Sequence, residues 1–468
     1  MDDHRMLHLS SRSGDRSGKR GRTSEAKFST YLVKILYWLV IIRLTVADTV
    51  YYGPDAKFLD IVARTVVFNK VTWVVFACVG AIYLISRLSK CLGLLKVSNS
   101  LFSLFIVYAA ISVFWSIDVG VSTSRVIHVY IIFVCCMAVT LVGWHERRFQ
   151  EVTRPIVTML LLGSLIYGLV APELAITSLG PQDPNSYWHG LTSQKNQLGS
   201  LASFGVLFWF HAWAARETKL WIASLWGGVA LTCLILSHSS TSLMATVLVC
   251  LFLMLFLRAS PVSRRLMPYL IGIFAIVTLL YTFAVLKVVP GLDLLLKPIT
   301  YLTGKDTTFT SRTEIWDIIK AHIQLSPVLG SGYAAYWAGP LPTSPSYVFL
   351  QQMYFYPFEA HNGYLDVIND LGYVGLIVLL GYIWIYIRQS INFLKINYSQ
   401  AGLYLAMLFQ QLLTNLSESH WFFISHDFVI LTLATLCLAA GLRAPRTLSS
   451  TNREKPLPPR SVKNRRVF

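Results

Sequence analysis

Apolar and polar positions along this chain fall into long blocks. Apolar runs lie near residues 31–49, 71–87, 99–115, 126–143, 155–171, 197–214, 219–236, 241–257, 267–287, 366–388, 400–416 and 422–442. Most approach 20 residues, the helix length that crosses a hydrocarbon core of about 30 Å. The blocks predict about twelve transmembrane helices, the first interrupted by Lys34 and Arg43. One long, mostly polar stretch, about 288–365, breaks the series. Within it Ser311 and Glu314 have capping-box spacing. Ile315, Trp316, Ile319 and Ile323 recur at helical spacing, which predicts a helix over about 312–324, stopped by Pro327. Residues 338–357, rich in Pro, Tyr and Phe, predict an ordered extended loop. Asp366, Asn369, Asp370 and Gly372 imply that the following helix starts above the membrane and enters it near Tyr373.

Composition supports the block reading. The 468 residues are 54% hydrophobic and 13% charged, against roughly 25% charged in soluble proteins. The fold class is an all-α polytopic membrane protein with one large loop. The net charge of +17 invites a nucleic-acid reading, but its distribution argues against one. Basic residues cluster in both tails and in alternate short loops, such as Arg147, Arg148 and Arg154, or Arg258, Arg264 and Arg265. The intervening loops near 116–124, 237–240 and 417–421 hold no Lys or Arg. This is the positive-inside pattern, and it puts both termini in the cytoplasm. The chain then divides into a disordered basic tail (1–28) too polar to bury a core, a membrane domain (29–442) and a second basic tail (443–468). The seven cysteines have no metal-ligand spacing and read as packing residues.

The outward segments carry the chemistry; the cytoplasmic side offers only short basic loops, with no phosphate-cradling Gly-rich motif. Lys195 and Asn196 stand where a loop enters a helix. They are either interfacial anchors or a cation and amide at a helix N-terminus, which suits a phosphate. Arg312 opens the loop helix, as a solvated charge or as a bidentate anion ligand. His361, between Glu359 and Asn362 at the membrane edge, is the candidate general base, with a structural histidine as the alternative. Glu418 and His420 share a very short outer loop and imply a common cavity or a structural hydrogen-bond network. Ser237 to Ser242 read as a helix-packing patch, with His238 a further cavity group. No Asp, Glu or His spacing suggests a metal.

Five motifs occur in order: Gly-Leu-Thr-Ser-Gln-Lys-Asn-Gln-Leu-Gly (190–199), Leu-Ser-His-Ser-Ser-Thr-Ser-Leu (236–243), Ser-Arg-Thr-Glu-Ile-Trp (311–316) with Pro-Val-Leu-Gly-Ser-Gly (327–332), Ala-His-Asn-Gly-Tyr-Leu (360–365) and Asn-Leu-Ser-Glu-Ser (415–419). Together they resemble the bacterial O-antigen ligase and polysaccharide polymerase superfamily, in particular the ExoQ-like exopolysaccharide polymerases. The resemblance implies a metal-independent, cofactor-free glycosyltransferase of the GT-C class in the bacterial inner membrane, working on its periplasmic face. Its substrates would be undecaprenyl-diphosphate-linked glycans, and a flippase and a chain-length regulator would be its partner proteins. Arg312, His361, Lys195 and Asn196 match the family's site residues, with His361 as base, Glu359 or Asn362 orienting it, and Arg312, Lys195, Asn196 and His238 at the diphosphate. Relatives often carry Arg or Lys where this chain has Ser240, so a diphosphate here would draw on Lys195, His238 or Lys305. A ligase acting on lipid A core or protein would share this donor chemistry. A lipid-linked oligosaccharide flippase would need polar groups near the bilayer midplane and repeated halves; most runs here are apolar and no halves repeat.

Overall fold

The structure is a computed structural model that describes residues 29–47, 58–142, 148–177, 186–286, 312–354 and 356–443. Residues 1–28 and 444–468, Lys305 and the capping residue Ser311 lie outside the described residues. The helices are α1 (29–45), α2 (Phe58–Ile85), α3 (Leu88–Leu95), α4 (Ser100–Ile111), α5 (Val119–Leu141), α6 (Arg148–Val170), α7 (Pro172–Ala175), α8 (Lys195–Ala214), α9 (Leu220–Leu236), α10 (Ser240–Arg258), α11 (Pro261–Leu286), α12 (Arg312–Ile323), α13 (Val348–Met353), α14 (Gly363–Phe393), α15 (Tyr398–Thr414) and α16 (His426–Arg443). Strands β1 (Ile176–Thr177) and β2 (Tyr187–Trp188) form one short antiparallel pair.

The all-helical membrane architecture is as expected; the count of spans is coarser. Among the described residues α5, α6, α10, α14 and α16 are long and apolar enough to cross a membrane, and a sixth span is possible if the pair bent by 95° at the end of α2 and α3 is taken as one. Apolar helices at Ser100–Trp115, Leu220–Leu236 and Tyr269–Thr278 are shorter than that. Helix α16 is the central one, with 83% of its apolar stretch buried, against α5, α6, α8, α14 and α15. One of its buried hydroxyls, that of Thr435, shares a hydrogen bond of 2.9 Å with Tyr382.

The long loop is ordered where it is described. Helix α12 forms as its apolar spacing predicts and buries Ile315, Trp316, Ile319 and Ile323. Residues 338–357, expected to be extended, instead contain a 3-10 turn at Pro345–Tyr347 and the short helix α13. Pro345 suits the first helical position, and Phe349 of α13 stacks on Trp337 at 5.3 Å.

Helix α14 is broken at Gly372, whose φ of 65° and ψ of −167° are not helical. The backbone groups this frees are taken up by the loop after α12. Tyr373 N–H donates to the Pro327 carbonyl (2.9 Å) and Val374 N–H to that of Val328 (3.2 Å). Ser331 and Gly332 N–H donate to the carbonyls of Asn369 and Asp370, each at 3.0 Å. The Leu371 carbonyl accepts from Tyr108 Oη at 3.2 Å. A buried break needs this full set of partners. It also needs glycine: a Cβ on Gly372 would overlap the Val328 carbonyl, and one on Gly330 (φ +73°) would overlap the Asp370 backbone. Gly372→Ala should therefore destabilise the fold by about 1–3 kcal/mol for the strained conformation alone. Thermal unfolding of the detergent-solubilised protein measures this, and an unchanged midpoint would mean that the backbone can relax around the break.

Candidate active site

Two tight loops meet at one end of the bundle. The first, 357–363, turns twice through left-handed backbone, at Phe358 (φ +55°) and His361 (φ +52°). Non-glycine residues rarely hold that conformation, and both flanking peptides are clamped. Ala360 N–H donates to Asp366 Oδ2 at 3.0 Å, and the Ala360 carbonyl accepts from Trp316 Nε1 at 3.0 Å. Asn362 caps α14, its Oδ1 accepting from the N–H groups of Tyr364 and Leu365 at 3.1 Å. Gly363 N–H reaches the carbonyls of Asn415 and Glu418 in the second loop. That loop folds on its own Asn415, whose Oδ1 accepts from His420 N–H (2.9 Å) and Trp421 N–H (2.7 Å).

Glu418 is where the separated motifs join. Its Oε1 accepts from Asn196 Nδ2 and from Arg312 Nη2, both at 2.8 Å. Its Oε2 accepts from His361 Nδ1 at 3.2 Å, and Glu359 Oε1 lies 3.1 Å from the same nitrogen. Arg312 Nη1 donates to the Ser417 carbonyl. Ser417 Oγ in turn donates to Thr241 Oγ1 at the start of α10, at 2.8 Å. The His361, Glu359 and Glu418 side chains are 16%, 13% and 4% exposed, so these interactions are weakly screened.

Burial disfavours a charged His361, but the hydrogen bonds and charges of Glu359 and Glu418 outweigh it and push the imidazole pKa up to about 10. Burial also opposes the Glu418 charge; His361 and Arg312 outweigh that, and the Glu418 pKa is lowered. For Glu359 burial prevails, assisted by repulsion from Glu418, and its pKa is raised. With that pKa His361 carries its proton at neutral pH.

Other expected site residues are placed as follows. Asn362 caps α14 and donates to the Leu416 carbonyl at 3.2 Å, so it orients the turn and does not itself contact the imidazole. Lys195 Nζ stands 4.7 Å over the Tyr187 ring of β2, with no carboxylate partner among the described residues. His238 is exposed in the turn before α10, at φ +51°, and has no hydrogen bond to the cluster among the described residues. His420 belongs to a second group: its Nδ1 is 3.5 Å from Asp427 Oδ2, and Asp427 Oδ1 accepts from Ser200 Oγ at 2.5 Å. Sequence spacing shows no metal motif, yet the fold brings donor atoms of Glu359, His361 and Glu418 within 4.8 Å of one another. A metal there would have to displace the His361 proton and compete with Arg312 for Glu418.

Beside Glu359 opens a cavity of about 820 Å³. Its lining includes Ser124, Arg125 and His128 of α5, Gln194, Trp337 and Asp370. Arg125 props one wall, donating through Nη1 to the Ala334 carbonyl and through Nη2 to that of Trp337 (2.7 Å). Sequence reasoning missed Arg125 and His128. The available signal was two ionisable residues three apart on one face at the start of an apolar run.

With this geometry in hand, two comparisons bear on the chain. Residues 227–380 match the family model described as O-antigen ligase. The chain is also 30% identical over 290 residues to the exopolysaccharide production protein ExoQ of Rhizobium meliloti (strain 1021), a match covering 59% of this chain and 61% of that protein. Both matches point to the superfamily that the motifs resemble, and each spans only part of the chain. Arg312, Glu359 and His361 fall inside the family match, whereas Lys195, Asn196 and Glu418 fall outside it.

The cluster predicts its own pH dependence. His361 has a raised pKa, so its contribution to stability is complete below about 6.5, declines as pH rises and is gone above about 10. Glu418 has a lowered pKa, so its contribution is complete above about 4.5 and is lost as pH falls below that. Glu418→Gln should cost about 3–5 kcal/mol by leaving buried cations unpaired. The melting-temperature gap to the wild type should be widest between about pH 4.5 and 6.5. A gap independent of pH from 4 to 10 would contradict the assignment.

Proposed function

We propose that this chain is a metal-independent glycosyltransferase of exopolysaccharide assembly in the bacterial inner membrane. It transfers a growing glycan from undecaprenyl diphosphate to a hydroxyl of another lipid-linked repeat unit. The observation that carries the reading is the meeting of Asn196, Arg312, Glu359 and His361 around Glu418, beside a cavity. The positive-inside pattern of the loops supports a periplasmic position for this end of the bundle, where no nucleotide sugar is needed.

The bond between the sugar's anomeric carbon and the diphosphate breaks, and its electron pair leaves with the diphosphate oxygen. The acceptor oxygen bonds to the same carbon and gives its proton to the cluster. Two carboxylates and one imidazolium carry a net charge of −1, so the trio can take that proton. Glu359 takes it: its pKa is raised and it lines the cavity. His361 holds both carboxylates through Nδ1, and its positive charge would stabilise the departing diphosphate. Lys195 and the N–H groups at the start of α8 provide the rest of the diphosphate site. Arg312, expected to grip the diphosphate with two nitrogens, spends both on Ser417 and Glu418; its part is to hold Glu418 in place.

The assay uses purified protein and a lipid-diphosphate oligosaccharide, without nucleotide sugar. Ladders of repeats identify a polymerase; transfer only when lipid A core is added identifies a ligase; neither points back to a flippase. Glu359→Gln should slow transfer by about 10²–10⁴-fold. The rate should fall toward acid as Glu359 is protonated and fall again above about pH 10 as His361 loses its charge. A rate that instead climbs through pH 10 returns the base role to His361. Activity abolished by a chelator and restored by a divalent ion would place a metal on the trio.

Arg312→Lys separates the two roles of the guanidinium. A lysine cannot span Ser417 and Glu418 together, so transfer should drop at least about tenfold, with the donor KM little changed. A raised donor KM at unchanged kcat would restore the direct grip on diphosphate.

A further inference from the structure

We infer that the cavity beside Glu359 binds the acceptor saccharide, and that Phe358 is the platform that positions it. The inference rests on the transferase reading and adds the residue that decides which hydroxyl reaches Glu359. Phe358 precedes Glu359 directly and lines the same cavity. It is held in left-handed backbone and is 56% exposed, although most large aromatics around it are buried. Its ring is fixed edge-on by Tyr356, with centroids 4.7 Å apart at 84°. An exposed, braced aromatic face on a water-accessible wall suits the C–H face of a pyranose, which is apolar on its flat side and polar at its rim. A ring stacked there is one residue from the carboxylate that takes the proton.

The polar rim has its counterparts. Gln194 and Ser124 line the cavity with side chains that make no hydrogen bond among the described residues, so their amide and hydroxyl are available to sugar hydroxyls. The volume of about 820 Å³ suits a small-molecule ligand.

The test uses the full-length protein in detergent, an undecaprenyl-diphosphate repeat unit as donor and short-chain soluble glycosides of that repeat as acceptors. Transfer to the glycoside and cleavage of donor by water are read in parallel. Phe358→Ala should raise the acceptor KM about tenfold, with kcat and donor cleavage within about twofold of wild type, and Phe358→Trp should restore the KM. An unchanged KM in Phe358→Ala, a parallel loss of donor cleavage, or failure of Trp to restore the KM overturns the inference. A wild-type protein that neither cleaves donor nor extends acceptor overturns the transferase reading, and this inference with it.

Discussion

The end of the bundle that holds the site depends on how one carboxylate is satisfied. Glu418 has left water almost completely, and a carboxylate in that position needs strong donors on both oxygens. It finds them on three elements: Asn196 at the start of α8, Arg312 at the start of α12, and His361 in the turn before α14. None of these is near another in the sequence, so the carboxylate does for the tertiary structure what a cap does for one helix. The surrounding features follow from this demand. His361 sits in left-handed backbone because the turn must aim Nδ1 at two acids. Gly363 is a glycine because the two loops approach until a Cβ would meet the Asn415 side chain.

The membership of this cluster was legible in the sequence, because a chain so poor in charge has few polar groups to spend. Asn196, Arg312, Glu359, His361 and Glu418 all stand out against apolar runs. Their partnerships were not legible. Spacing carries no information on the distance between residues 312 and 418, so Arg312 read as a free guanidinium at a helix start and proved to be committed to its neighbours. His361 read as a base of near-neutral pKa for the same reason: its second carboxylate arrives from a loop 57 positions away. Asn362 was weighed as a partner of the imidazole when its local duty as a cap, visible in Asn-Gly before a helix, accounts for its side chain.

The helices were legible in a similar, uneven way. Apolar run length located most of them, and apolar spacing located α12. Run length cannot see a bend of 95° between α2 and α3, nor helices too short to cross. Averaging also hid Arg125 and His128, because two polar residues at one end barely change the hydropathy of a window. What marks them is position on one face, and that face turns to the cavity.

The break at Gly372 also works as a ruler. The half of α14 before it carries the cap, Asp366 and Asp370; the half after it is the apolar stretch. Four backbone hydrogen bonds pin the junction to the loop behind α12, so neither half can slide along the helix axis without tearing that loop away. The height of the Glu359–His361 turn above the oily part of the same helix is thereby a constant of the fold. For any ligand whose polar head must stay at a fixed distance from its hydrocarbon tail, that constant is itself a form of recognition, achieved without a single contact to the tail.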